Sequence, residues 1–194
     1  MPANLLFCVA EEAKPFIPRA TREYSTDPTF PPLYYLVESK VCPNSGEGFK
    51  SKLQDCETFQ SEFIGASIEE CQDWAKSNWE QFNFIEPCVI AIADERSARD
   101  GTLLMSYYCP VVDDPEDLEF EGWGRLPPKD DTWYNFRIEH RAADQFIICI
   151  TGSPIDTAME TYFGRPEKFT NGAGVFDVFK ALSYVRGEGS DQEF

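Results

Sequence analysis

The densest run of side chains able to do chemistry is Asp94-Glu95-Arg96-Ser97-Ala98-Arg99-Asp100-Gly101. It follows directly on the apolar stretch Cys88–Ala93, and open α/β sheets place their ligands at the ends of such buried strands. In that setting Asp94 or Glu95 is placed to serve as a general base and Arg96 or Arg99 to clamp an anionic substrate, with Asp100 a further ligand-binding candidate. The same residues also suit an ordinary hairpin, with Asp100-Gly101 supplying a positive-φ turn and the charges pairing in solvent.

His140 is the sole histidine and is flanked by Glu139 and Arg141. An acid–base pair with a nearby carboxylate is conceivable, with Arg137 and Glu139 as neighbouring ligand-binding candidates. Strand alternation, however, puts His140 on the face of Phe136 and Ile138, where a packed structural imidazole is expected. No GxSxG motif and no local signature around a cysteine supports a nucleophilic mechanism. Asn171-Gly172-Ala173-Gly174 precedes an expected helix, whose N-terminal amides can hold an anion; as a simple turn it needs no ligand.

The seven cysteines (Cys8, Cys42, Cys56, Cys71, Cys88, Cys109 and Cys149) form no CxxC pair. With one histidine beside them, they give no zinc-site spacing and read as reduced thiols, three of them inside apolar strand-like runs. No metal or other cofactor is expected. Residues 110–131 concentrate eight acids: Asp113, Asp114, Glu116, Asp117, Glu119, Glu121, Asp130 and Asp131. The spacing is not that of an EF-hand. Leu118, Phe120 and Trp123 among these acids suit contact with a basic, partly apolar partner, or a lid folded back on the domain. Asp113, Asp114, Glu116, Asp117, Phe120 and Trp123 are the partner-binding candidates.

The elements that must position these groups follow from hydrophobic pattern. Leu33–Val37 predicts a central strand, 48–56 a short amphipathic helix and 57–60 a brief strand. Ser67-Ile68-Glu69-Glu70 has the form of a capping box opening a helix whose apolar face is Ile68, Cys71, Trp74, Ala75, Trp79 and Phe82. Cys88–Ala93 reads as a strand covered on both faces, and Thr102–Cys109 as its antiparallel neighbour. Strands at 133–140 and 145–151 follow. A last helix spans 174–186, with Val175, Phe176, Phe179, Leu182 and Val185 as its stripe. The expected fold is therefore α+β or α/β: a single mixed β-sheet of about six strands with about three helices packed on it. Residues 1–32, broken by Pro15, Pro18, Pro28, Pro31 and Pro32, read as a loop-like segment, 33–186 as one domain with an acidic insertion at 110–131, and 187–194 as a disordered tail.

Three phrases, Ser61-Glu-Phe-Ile-Gly-Ala-Ser-Ile-Glu-Glu-Cys71, Cys88-Val-Ile-Ala-Ile-Ala-Asp-Glu-Arg96 and Phe169-Thr-Asn-Gly-Ala-Gly-Val-Phe-Asp-Val-Phe179, resemble an uncharacterised family of small acidic bacterial and fungal α/β domains. The resemblance spans roughly 33–186 and implies the fold alone. It carries over no site residue, and the proline-rich start and acidic insertion depart from it.

Composition bounds the function. In 194 residues, 42% are hydrophobic and 16 are phenylalanine; a chain of this length buries roughly 70% of its unfolded surface and needs no staples. There are 34 acidic and 17 basic residues, a net charge of −17. Such a surface repels nucleic acid, and no basic patch offsets it. No apolar run is long enough for a membrane span, and Leu5–Ala10 lacks the basic flank of a signal peptide. With reduced thiols, this gives a cytoplasmic or nuclear expectation. The leading functional reading is a non-enzymatic interaction or regulatory domain that binds a basic protein surface, although charge of this size also serves solubility alone. The alternatives are a small-molecule binder or enzyme at 94–100, and mimicry of nucleic acid by regularly spaced acids.

Overall fold

The computed structural model describes residues 3–21, 32–54, 57–78, 85–109, 119–120, 124–125, 131–152 and 166–185. The tail at 187–194 and most of the acidic insertion lie outside them. Strands β1 (Ala3–Cys8), β2 (Tyr34–Leu36), β3 (Ile85–Ala93), β4 (Thr102–Cys109) and β7 (Thr132–Glu139) form one mixed sheet in the order β2-β1-β3-β4-β7. A separate two-stranded ribbon, β5 (Glu119–Phe120) and β6 (Gly124–Arg125), is antiparallel. Five α-helices are described: α1 (Ile17–Thr21), α2 (Ile68–Asn78), α3 (Glu95–Asp100), α4 (Ala143–Gly152) and α5 (Val178–Val185). None of them is long and apolar enough to cross a membrane. The chain clusters into two compact units that divide within β4, residues 1–107 and 108–194.

The mixed α+β class agrees with expectation, but among the described residues the main sheet has five strands rather than about six, and the α-helices are five rather than about three. The reasons are local. The segment before Pro32 opens with β1, whose six residues are all buried; the prolines that suggested a loop all follow Cys8. Pro15 sits in the 3-10 turn Glu11–Phe16, and Pro18 in the first turn of α1, where a missing N–H does no harm. The strand expected at 33–37 is present as β2, but at the sheet edge rather than its centre. Residues 49–54 are not helical. Phe49 is extended (φ −99°, ψ 136°) after the 3-10 turn Gly46–Gly48, and Lys50 bridges antiparallel to Leu36. Residues 57–60 form no strand, although Phe59 is buried.

In the first unit β1 runs parallel to both β2 and β3, and β3 pairs antiparallel with β4 as its apolar sequence and short connection require. The capping box of α2 is formed: the Ser67 amide donates to Glu70 Oε2 at 2.8 Å, and the Glu70 amide to Ser67 Oγ at 3.2 Å. Cys71 and Ala75 are buried on its inner face, while Trp79 and Phe82 lie outside the described residues. Buried Gln72 donates to Ser106 Oγ on β4 at 3.3 Å. Phe7, Phe63 and Trp74 stack edge to face, with ring centroids 5.0–5.9 Å apart.

In the second unit, Phe136 and Ile138 of β7 are buried while Asn135 and Glu139 are exposed, as alternation requires. The expected return strand at 145–151 is instead helix α4. Ala143, Phe146 and Ile147 are buried at helical spacing while Ile148 is 43% exposed, and a continuous apolar run cannot distinguish the two states by pattern alone. Phe136, Phe146, Phe169 and Phe176 form the aromatic core, with Phe136 5.4 Å from both Phe146 and Phe176 and Phe169 5.9 Å from Phe176.

Candidate functional site

The 94–101 segment is a short capped helix rather than a polar hairpin. Asp94 is the N-cap of α3: its Oδ1 accepts from the Ser97 amide at 3.0 Å, and the Asp94 amide donates back to Ser97 Oγ at 3.1 Å. Gly101 ends the helix in the left-handed region at φ 73°, so the positive-φ glycine expected here is present, as a helix C-cap. Arg96 Nε bonds Asp100 Oδ2 at 2.7 Å, and Asp100 Oδ1 accepts from the amide and hydroxyl of Thr102. Partial burial pushes the Asp100 carboxyl up, but the Thr102 hydroxyl, the Arg96 guanidinium and the Thr102 amide together outweigh it and hold the carboxyl below its ordinary value. Glu95 and Arg99 are exposed.

At the carboxyl ends of β1 and β3, where an open sheet would take a ligand, the chain packs segments of its own. The 3-10 turn Glu11–Phe16 packs against α3. Ser61 Oγ donates to the Cys8 carbonyl and the Gly65 amide to the Val9 carbonyl, both at 2.8 Å. Asp94, Arg96 and Asp100 are thus engaged in building α3 and the start of β4.

A concave site exists in the second unit. A cleft of about 240 Å³ is lined by Glu139, Asn171, Val175, Phe176, Asp177 and Phe179, among others. The chain reaches it through a tight turn. Asn171 Oδ1 accepts from the Ala173 and Val175 amides, Gly174 turns at φ 72°, and Thr170 bridges Phe176. The 171–174 motif therefore serves as a turn, and it leads into an extended stretch rather than directly into a helix. The Phe176 amide donates to the Arg137 carbonyl at 2.7 Å, tying that stretch to β7. Asp177 then caps α5 by accepting from the Lys180 amide at 3.0 Å.

The start of α5 at Val178 corrects the expected stripe. Val178 and Ala181 face inward, Phe176 is buried before the helix begins, and Phe179 is turned out, 58% exposed. Glu139, a candidate ligand-binding residue, stands exposed on the cleft, and its carboxylate makes no hydrogen bond or ion pair with a described residue. Arg137 is half-buried, and His140 opens the 3-10 turn His140–Ala142 rather than continuing the strand face. Asp177 and Phe179 were not singled out as site residues from sequence. Aspartate immediately before an apolar run is an N-cap signal that would have placed the helix start.

Asp113, Asp114, Glu116, Asp117 and Trp123 lie outside the described residues, and Phe120 falls in β5. Asp131, the last acid of that insertion, has φ 54° and accepts from the Tyr108 hydroxyl. Among the described residues no group of three His, Cys, Asp or Glu side chains is placed to hold a metal ion. Comparison of the chain with protein-family models, curated proteins and solved structures gives no match.

Proposed function

We propose that this chain is a non-enzymatic interaction domain that binds a basic protein surface. The observation that carries the reading is the net charge of −17. The described ion pairs show how that excess is distributed. Lys14 pairs with Glu11, Lys50 with both Glu38 and Glu57, and Arg96 with Asp100. Glu12, Glu47, Glu95 and Glu139 are exposed and form no ion pair with a described residue. Carboxylates left over in this way set up a field that steers and holds a cationic partner. A pocket at 94–100 gains no support, since Asp94, Arg96 and Asp100 bond within α3 and to Thr102 at the start of β4, and Glu95 and Arg99 are exposed. The test is affinity purification of the tagged chain at low salt followed by a salt gradient. A basic protein should be retained and released as ionic strength rises. Retention insensitive to salt, or no basic protein retained, refutes the reading.

A further inference from the structure

We infer that the cleft beside Glu139 and Phe179 receives an arginine side chain of the basic partner, an inference that rests on the reading just proposed. Size sets the first constraint. At about 240 Å³, the cleft falls below the roughly 300–1,000 Å³ of small-molecule sites, so it suits a single side chain and its backbone better than a cofactor.

Chemistry sets the second. Phe179 presents an aromatic ring that is 58% exposed at the cleft, the one aromatic among three exposed large hydrophobic side chains of the described residues. Glu139 brings a carboxylate that no described residue pairs. Asn171 uses its Oδ1 within its own turn, which leaves its amide N–H groups to meet a partner's backbone carbonyl. A planar guanidinium is the cation that both stacks on an aromatic ring and offers a fork of donors to a carboxylate; lysine brings a point charge without the flat face. A second copy of the chain is a poor occupant, because two bodies each carrying −17 repel.

The experiment titrates the intact chain with hexa-arginine and, separately, hexalysine at low salt, reading affinity by calorimetry and location by amide chemical shifts. Hexa-arginine should bind roughly two- to fivefold tighter than hexalysine, with shifts centred on residues 139–142 and 171–179. Glu139→Gln should weaken hexa-arginine roughly tenfold, and Phe179→Leu, which keeps an apolar side chain, should abolish the preference over lysine. Glu139 and Phe179 both stand at exposed positions, so neither substitution disturbs the core, and circular dichroism confirms that each variant is folded. If the two peptides bind equally and both variants bind like the parent, the cleft assignment falls while binding to basic surfaces stands. If neither peptide binds, the reading beneath it falls too.

Discussion

Asn4 and Tyr34 are register partners on the parallel strands β1 and β2, only 1% and 2% exposed, and each holds a side-chain oxygen without a hydrogen-bond partner among the described residues. Asn4 Nδ2 reaches the Leu33 carbonyl at 3.2 Å, leaving its Oδ1 unmatched. Burial drives the Tyr34 phenol far above its ordinary value, so it remains neutral. A buried hydroxyl without a partner is a liability of about 1–3 kcal/mol. Tyr34→Phe keeps the ring and removes the liability, and urea unfolding should show unchanged or increased stability. A loss of more than about 1 kcal/mol would mean that the hydroxyl is bonded, an internal water being the simplest bridge.

The cap of α3 yields a second prediction. Asp94 and Ser97 satisfy each other reciprocally, and Ser97 is fully buried. Asp94→Ala and Ser97→Ala should each lower unfolding stability by about 1–2 kcal/mol, and the double variant should lose clearly less than the sum, because the two groups form one unit. Glu95→Gln and Arg99→Ala change exposed side chains with no described bond and should stay within about 0.5 kcal/mol of the parent. Strict additivity of the first pair would remove the reciprocal cap from the account.

These two cases also show what sequence could and could not convey. Reciprocal Ser67–Glu70 capping, the β3–β4 pair and the buried face of β7 were legible, because each rests on spacing within one element or on a connection too short for a crossover. The 94–101 segment was misread because Asp-x-x-Ser capping and an Asp-Gly hairpin share the same residues; burial of Ser97 decides between them, and burial is tertiary. Phe146-Ile-Ile-Cys-Ile150 was ambiguous because an unbroken apolar run has no period. The cleft joins Glu139 to Asn171 and Phe179 across 32 and 40 positions of chain, a proximity that no local pattern encodes. Its members were visible singly, as a strand end, a turn asparagine and a stripe phenylalanine.

The Asp100 network predicts a pH dependence. Its carboxyl lies below the ordinary 3.8 in the folded chain, so its charged form is favoured by folding. For a depressed carboxyl the contribution is complete above the unfolded value and disappears as pH falls through the folded one. Asp100→Asn removes the charge and retains a carbonyl acceptor for Thr102. The stability difference between parent and variant should therefore be constant near neutrality and shrink steadily below about pH 4. A difference that holds or grows on acidification would show that Asp100 is not stabilised as an anion.

The last prediction concerns the plug at the ends of the parallel strands. Phe63 is 1% exposed and meets Phe7 at 5.0 Å and Trp74 at 5.9 Å, while its neighbours Ser61 and Gly65 bond the backbone leaving β1. One ring thus anchors the segment bonded to the chain as it leaves β1, on the side where an open sheet usually takes a ligand. Phe63→Ala should destabilise by about 3–5 kcal/mol, a large part of the roughly 5–15 kcal/mol typical of a domain, and Phe63→Leu by less, since most of the volume remains. Both are measured by denaturant unfolding at fixed pH and salt. If the plug is structural, protection of the Gly65 amide from hydrogen exchange should fall in step with global stability. If instead the segment opens on its own to admit a ligand, Gly65 should exchange at the same rate in the parent and both variants, well before the core.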